Sequence, residues 1–421
     1  MRDPLDRAVL SEVRRQVAEG AAVPDAESVA ALVRRLGGVR GREDVALLRK
    51  AVLAEIAGAG PLQALLDEEG VSDVLVNGAD GVWVDRGRGL ERREVDLGTV
   101  ADVRALAVRL ASAGHQRLDE AAPVADARLP DGTRLHAVLP PIAGQGPLIS
   151  LRVLRRRAFT LRQLQDAGTV APSVARVLAA LVERRLNVLV SGATGTGKTT
   201  LLSTLLSLVP VTERIVCLEE AGELNPTHPH VIRLLVRRPN VEGAGAVTLT
   251  DLVHHALRMR PDRVVLGECR GPEVRDVLTA FNTGHDGGWV TLHANRAEDV
   301  PTRLEALGAL AGMGRDAVAA QAASALHAVV HLRRDAGVRY VAEVALLRRS
   351  RDGCLEVLPA LTVLPASAPA ADAGTEQRGN AVEARTVEYG AGWPGLATLL
   401  GLPPGAAGVG EQPGSFSGGA S

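Results

Sequence analysis

The run Gly192-Ala193-Thr194-Gly195-Thr196-Gly197-Lys198-Thr199 carries the plainest chemistry in the chain. Three glycines free successive backbone N–H groups to turn inward around a phosphate, and a helix opening at Lys198 adds its N-terminal dipole. The Lys198 ammonium can then reach β and γ oxygens, the Thr199 hydroxyl can ligate Mg²⁺, and Thr200 continues the helix start. An apolar strand before the run and a helix after it are the context this loop requires.

Two acidic positions fall where such a loop needs them. Val264-Val265-Leu266-Gly267-Glu268 reads as an apolar strand ending in a carboxylate, so Glu268 can act on water or on Mg²⁺. The position before it is Gly267 rather than a second acid, which leaves Glu268 to act alone. Glu219, Glu220 and Glu223 follow another apolar strand, where a strand-end carboxylate can orient an attacking water. His285 and His293 flank a short strand in the segment Thr283 to Asn295, as a sensor of the γ-phosphate would.

These groups need a scaffold that alternates strand and helix. The pattern predicts strands at 187–191, 214–218, 263–266 and 289–292, with helices from Lys198 and over 249–259. That order implies an α/β domain with a parallel sheet and right-handed crossovers over residues 172–350. Upstream, residues 58–157 read as a smaller α+β domain, with strands leading through Asn77-Gly78 and flanking Pro140-Pro141. Residues 1–57 read as a helical segment. Residues 158–171, after the basic run Arg155-Arg156-Arg157, read as a linker. From 351, and above all after Pro365, the Ala, Gly, Pro and Ser content predicts a disordered tail with no part in the core.

The 421 residues suffice for two domains, and with 46% apolar but 2% aromatic residues the core must be Val, Leu, Ala and Ile. Lys plus Arg number 48 against 49 Asp plus Glu, which offers no bulk attraction to nucleic acid or anionic lipid. Cys217, Cys269 and Cys354 have no paired spacing, in keeping with a reducing compartment. With no apolar stretch of roughly 18 residues, the protein is expected in the cytoplasm, and any attachment to the inner face of the cytoplasmic membrane must run through partners. His254-His255 point apart on a helix, and His228 and His230 flank a proline, so neither pair makes a metal site.

Taken together, the loop at 192–199, the acids at 219–223, Gly267-Glu268 and the segment from His285 to His293 resemble the secretion-superfamily ATPases. These drive type II and type IV secretion, pilus assembly and conjugation. The run Arg258 to Arg263, with Arg270-Gly271, looks closest to the Tad-pilus branch, and the resemblance covers roughly residues 58–347. It implies a RecA-like domain that binds ATP and Mg²⁺ and works as a homohexamer on a membrane platform protein. Lys198 and Thr199 would then hold nucleotide and Mg²⁺, Glu268 would be the Walker B glutamate, and Glu219 the key acid of the acidic box. His285 and His293 would lie in the histidine box, while Arg134 and Arg152 match arginines that close onto the nucleotide's phosphates. Glu220 stands where Asp is usual, and Gly288-Trp289 interrupts a commonly polar stretch. The competing reading is a nucleic-acid motor using Arg155 to Arg157 or Arg348 to Arg351. With two tyrosines and three phenylalanines, base-stacking platforms are scarce. A kinase would need a second substrate pocket that no motif marks.

Overall fold

The computed structural model describes residues 54, 58–79, 81–87, 89–153, 158–237, 244–335, 337–364 and 385–403. Almost all of the expected N-terminal helical segment, and Arg155 to Arg157, lie outside them. The chain divides into two units at Arg155 and Arg156.

The first unit is built on an antiparallel sheet of β1 (Asp73–Asn77), β2 (Val82–Asp85), β3 (Leu90–Arg93), β4 (Val124–Arg128), β5 (Arg134–Val138) and β6 (Leu148–Arg152), in the order β3-β2-β1-β6-β5-β4. Alternation sends Val74, Val76, Leu135 and Leu151 to a buried face and leaves polar side chains on the other. Helix α1 (Gln63–Leu66) and helix α2 (Val100–Ala113) join that core through Leu65, Leu66, Leu106 and Leu110. Thr99 and Asp102 start α2 as a reciprocal capping pair.

The second unit holds a nine-stranded sheet. In chain order its elements are α3 (Leu161–Asp166), α4 (Pro172–Glu183), β7 (Val188–Gly192), α5 (Lys198–Leu206), β8 (Ile215–Glu219), β9 (Val231–Leu235), α6 (Leu249–Leu257), β10 (Arg263–Leu266), α7 (Glu273–Asn282) and β11 (Trp289–Leu292). They continue through α8 (Val300–Leu310), α9 (Arg315–Ala325), β12 (Ala328–Asp335), β13 (Val338–Arg349), β14 (Leu355–Val363), β15 (Val387–Tyr389) and α10 (Trp393–Leu400). The sheet order is β15-β14-β13-β12-β7-β11-β10-β8-β9, parallel from β12 to β9 and antiparallel from β12 to β15. Every residue of β7, β8, β10 and β11 is buried, because helices cover both faces. Val188 and Val190 enter one core with α4 and α5, while Leu189 between them enters the other with α6, α7 and α9.

Two expectations are corrected. Residues 158–171 are more than a linker: Thr160 and Gln163 cap α3, Leu164 and Val170 are buried in the core, and Val341 donates its N–H to the carbonyl of Thr169. The region from 351 is not tail throughout. Strand β14 belongs to the sheet, β15 pairs with it, and α10 buries Trp393, Leu396, Ala397 and Leu400 in the same core as β7. Arg184, just after α4, donates to the carbonyl of Leu400 at 3.2 Å.

Candidate functional site

In a parallel sheet the strand carboxyl ends gather at one edge, where ligands bind in open α/β folds. Strands β7, β8, β10 and β11 run parallel and adjacent, so the phosphate loop, Glu219, Glu268 and His293 emerge side by side.

The loop leaves β7 at Gly192 and re-enters helix at Lys198. Gly197, the residue before the helix, has φ +98°, which a side chain would strain. Thr196 braces the turn by donating to the carbonyl of Ala193 at 2.8 Å. Lys198 folds over its own loop and donates to the carbonyls of Gly192 and Ala193 at 2.9 and 3.1 Å. Burial holds its ammonium below the ordinary lysine range, opposed by the charge of Glu268. Thr199 and Thr200 are half-buried at the helix start, while Ala193, Thr194 and Gly195 are exposed at the loop tip. Beneath the loop, Ser191 Oγ lies 2.9 Å from Nδ1 of His331, whose pKa burial pushes down to about 4.

Glu268 follows β10. Its Oε2 accepts from Arg270 at 2.6 Å, and Oε1 lies 2.7 Å from Nε2 of His293 without hydrogen-bond geometry. Arg270 also reaches Glu220 at 3.1 Å, so one guanidinium spans the ends of β8 and β10. Burial, then the charge of Lys198, lowers the His293 pKa and favours the neutral ring. Glu219 is 4% exposed; Oε1 accepts the N–H of Leu224 at 2.7 Å, whereas Oε2 is buried with no partner. Burial pushes this carboxyl up to about 7. A buried oxygen without a donor, on the same sheet edge as the glycine-rich loop with β11 and β10 between them, suits a water or a proton awaiting transfer.

Gly267 now has a reason. A Cβ at that position would stand 2.9 Å from Cγ of Glu219, so a second acid before Glu268 would collide with the acid of the neighbouring strand.

The expected histidine pair is divided. His285 precedes β11 and His293 follows it, so they belong to opposite edges of the sheet. His285 Nδ1 lies 3.2 Å from the carbonyl of Ala280 at the end of α7 and is not brought to the phosphate loop. Gly288 and Trp289 are structural too: a Cβ on Gly288 would lie 2.1 Å from the Phe281 ring, and Trp289 is 1% exposed in the core. Arg270 was missed as a site residue, although its place two residues after Glu268 was a usable signal. Arg134 and Arg152 are direct cross-strand neighbours on the outer face of the first unit's sheet, with Arg128 opposite Arg134. Arg152 Nε donates to Asp73 at 3.0 Å.

Among the described residues, no group of three or more His, Cys, Asp and Glu could hold a metal ion. Mg²⁺ needs none, since it keeps several waters and is usually shared between one or two protein oxygens and the phosphates. The Thr199 hydroxyl and the Glu268 carboxylate supply oxygens of that kind.

The type II/IV secretion system protein family matches residues 55–356. A putative conjugal transfer protein of Mycobacterium tuberculosis is 50% identical over 317 residues, covering 74% of this chain and 90% of the relative. The type IV secretion system protein PtlH homolog of Bordetella bronchiseptica is 35% identical over 269 residues, 58% of this chain and 79% of its own length. Among solved structures, the pilus retraction motor PilT with bound ADP shares the fold at a TM-score of 0.50 and 20% identity, over 69% of this chain and 83% of PilT.

Proposed function

Because the chain belongs to the type II/IV secretion system protein family, we propose that it binds ATP with Mg²⁺ in the loop 192–199 and hydrolyses it. As a homohexamer, it would drive a secretion, pilus-assembly or conjugal-transfer machine. The observation that carries this reading is the convergence of Lys198, Glu219, Glu268 and His293 on one sheet edge.

On binding, Lys198 exchanges the carbonyls of Gly192 and Ala193 for β and γ oxygens, and the loop amides take the β-phosphate. Mg²⁺, held by Thr199 and Glu268, would neutralise charge between the phosphates. Arg270 holds the carboxylate of Glu268 through Oε2, with His293 beside the other oxygen. The attacking water gives its proton to a carboxylate, Glu268 or Glu219, as its oxygen bonds the γ-phosphorus and the bond to the bridging oxygen breaks. By the family resemblance alone, Arg134 and Arg152 would contact the nucleotide's phosphates, for which the planar guanidinium fork suits bidentate contact. Among the described residues no helix is long and apolar enough to cross a membrane, so work on a membrane platform would pass through a partner protein. The nucleic-acid reading gains nothing: Arg348 pairs with Glu356 at 2.6 Å and Arg349 donates to the carbonyl of Gly353.

The test is Glu268→Gln, measured for steady-state hydrolysis, nucleotide affinity and hexamer content. Turnover should fall roughly 10²-fold or more with affinity retained. Unchanged turnover sinks the assignment, and affinity lost along with turnover confines Glu268 to Mg²⁺ or to structure.

A further inference from the structure

The last described stretch of the chain, residues 385–403, lies beyond the family match that ends at 356, and no step above uses it. It returns to the hairpin bordering the phosphate loop. Cζ of Arg385 stands 3.6 Å from the centre of the Tyr340 ring. Tyr340, 1% exposed, donates to Oδ2 of Asp335 at 2.5 Å, which ties β13 to β12 close to their turn. Asp335 also faces Arg333 at 3.8 Å.

Next to Tyr340 is Arg339, and successive strand residues face opposite ways. The side chain of Arg339 passes the last residue of the phosphate loop: a Cβ on Gly197 would meet its Cδ at 3.6 Å and Cδ2 of Leu332 at 4.0 Å. Arg334 stands directly across the ladder from Arg339. The hairpin end therefore concentrates arginine beside a loop whose ligand is a polyanion, the arrangement that charge-assisted phosphate contacts use.

We propose that Arg339 is a further nucleotide-binding residue, and that the C-terminal return positions it against the phosphate loop through Arg385 stacked on Tyr340. The inference rests on the ATP-site reading above and adds a segment outside the matched family region to that site. Arg385 is a positioning residue: it touches the ring behind Arg339 and reaches the nucleotide through it.

The experiment measures ATP affinity, KM, kcat and melting temperature on the full chain. Arg339→Ala should weaken ATP binding about tenfold, the scale of one lost charge-assisted contact, and raise KM with it. Arg385→Ala should raise KM severalfold with kcat nearly kept, and Arg385→Lys should restore it because a cation remains over the ring. The double variant should bind no more weakly than Arg339→Ala alone, since the two residues act along one path. Wild-type affinity in Arg339→Ala overturns the phosphate contact. A lower melting temperature with unchanged KM in Arg385→Ala, or effects that multiply in the double variant, overturns the positioning role. If Arg385→Ala does not fold, Arg385→Gln carries the test by removing the cation over the Tyr340 ring while keeping a long side chain, and an unchanged KM there overturns the brace. Lys198→Ala separates the two readings. Wild-type binding and hydrolysis in that variant sinks the ATP site itself, whereas a dead Lys198→Ala beside an unaffected Arg339→Ala sinks only this inference.

Discussion

The two edges of the parallel sheet handle buried charge in opposite ways. At the amino ends of the strands most polar groups are tied to one another, although Nη1 of Arg263 is buried without a partner. Arg263, 1% exposed, donates to Glu213 at 2.7 Å and to the carbonyl of Val182 at 3.0 Å, and Arg185 joins Glu213 at 2.8 Å. Asn187 uses its backbone and both amide ends, on His327, the carbonyl of Ala325 and the N–H of Gly288. At the carboxyl ends the groups are held in waiting. Lys198 rests on its own loop carbonyls, and Glu219 keeps one oxygen buried without a donor. The amino edge gathers its charges into pairs, whereas the carboxyl edge, beyond the pairs made by Arg270, leaves Lys198 on backbone carbonyls and one Glu219 oxygen without a donor. Such reserved groups are less stabilising than the same burial with full pairing.

Substitutions should separate the edges. The largest effect expected is Lys198→Ala, which should remove turnover by 10³-fold or more, by analogy with other groups that stabilise the transferred phosphoryl. The melting temperature should hold, because the ammonium is desolvated at a cost and takes no carboxylate partner in the fold. A drop of many degrees would make the carboxyl edge structural and erase the contrast. Next comes Arg263→Ala, which removes the buried partner of Glu213 and leaves it Arg185, and should cost about 3 kcal/mol in denaturant unfolding, the low end for a broken buried pair. The folded fraction should keep its kcat. A lost kcat at full stability would move the amino edge into the chemistry.

The smallest effect sharpens the comparison through pH. Burial raises the Glu219 carboxyl from 4.5 to about 7 in the folded chain. The folded state therefore holds this proton more tightly than the unfolded state, so the stabilisation is present below about 4.5 and is lost as pH rises through about 7. At full expression the shift is worth roughly 3 kcal/mol. Glu219→Gln, which cannot ionise, should flatten that part of the stability profile relative to wild type. Parallel profiles for the two proteins would show that Glu219 does not carry the shift.

Much of this edge was readable because it is written in contiguous residues. The run 192–199 is a covalent unit, and Glu268 was found because an apolar strand must end where its carboxylate begins. His285 was misplaced for the converse reason: eight positions from His293 in sequence, it is carried off by the four-residue strand β11, roughly 13 Å at strand rise. Thr160 and Gln163 offered a legible capping pair inside the supposed linker. In the C-terminal region, the surrounding glycines and prolines averaged away the apolar run Trp393 to Leu400, which docks against β13, β14 and α4. Which elements a segment meets in space was not written within the segment itself.

The contact between positions 267 and 219 also bears on how this site can change over generations. Because a methyl group at 267 would already crowd the Glu219 side chain at 2.9 Å, position 267 cannot gain a side chain while Glu219 keeps its place. An acid acquired at 267 would first have to be accompanied by a shorter or displaced side chain at 219. The order of change is thus set: a side chain can enter at 267 only after the one at 219 has been shortened or moved.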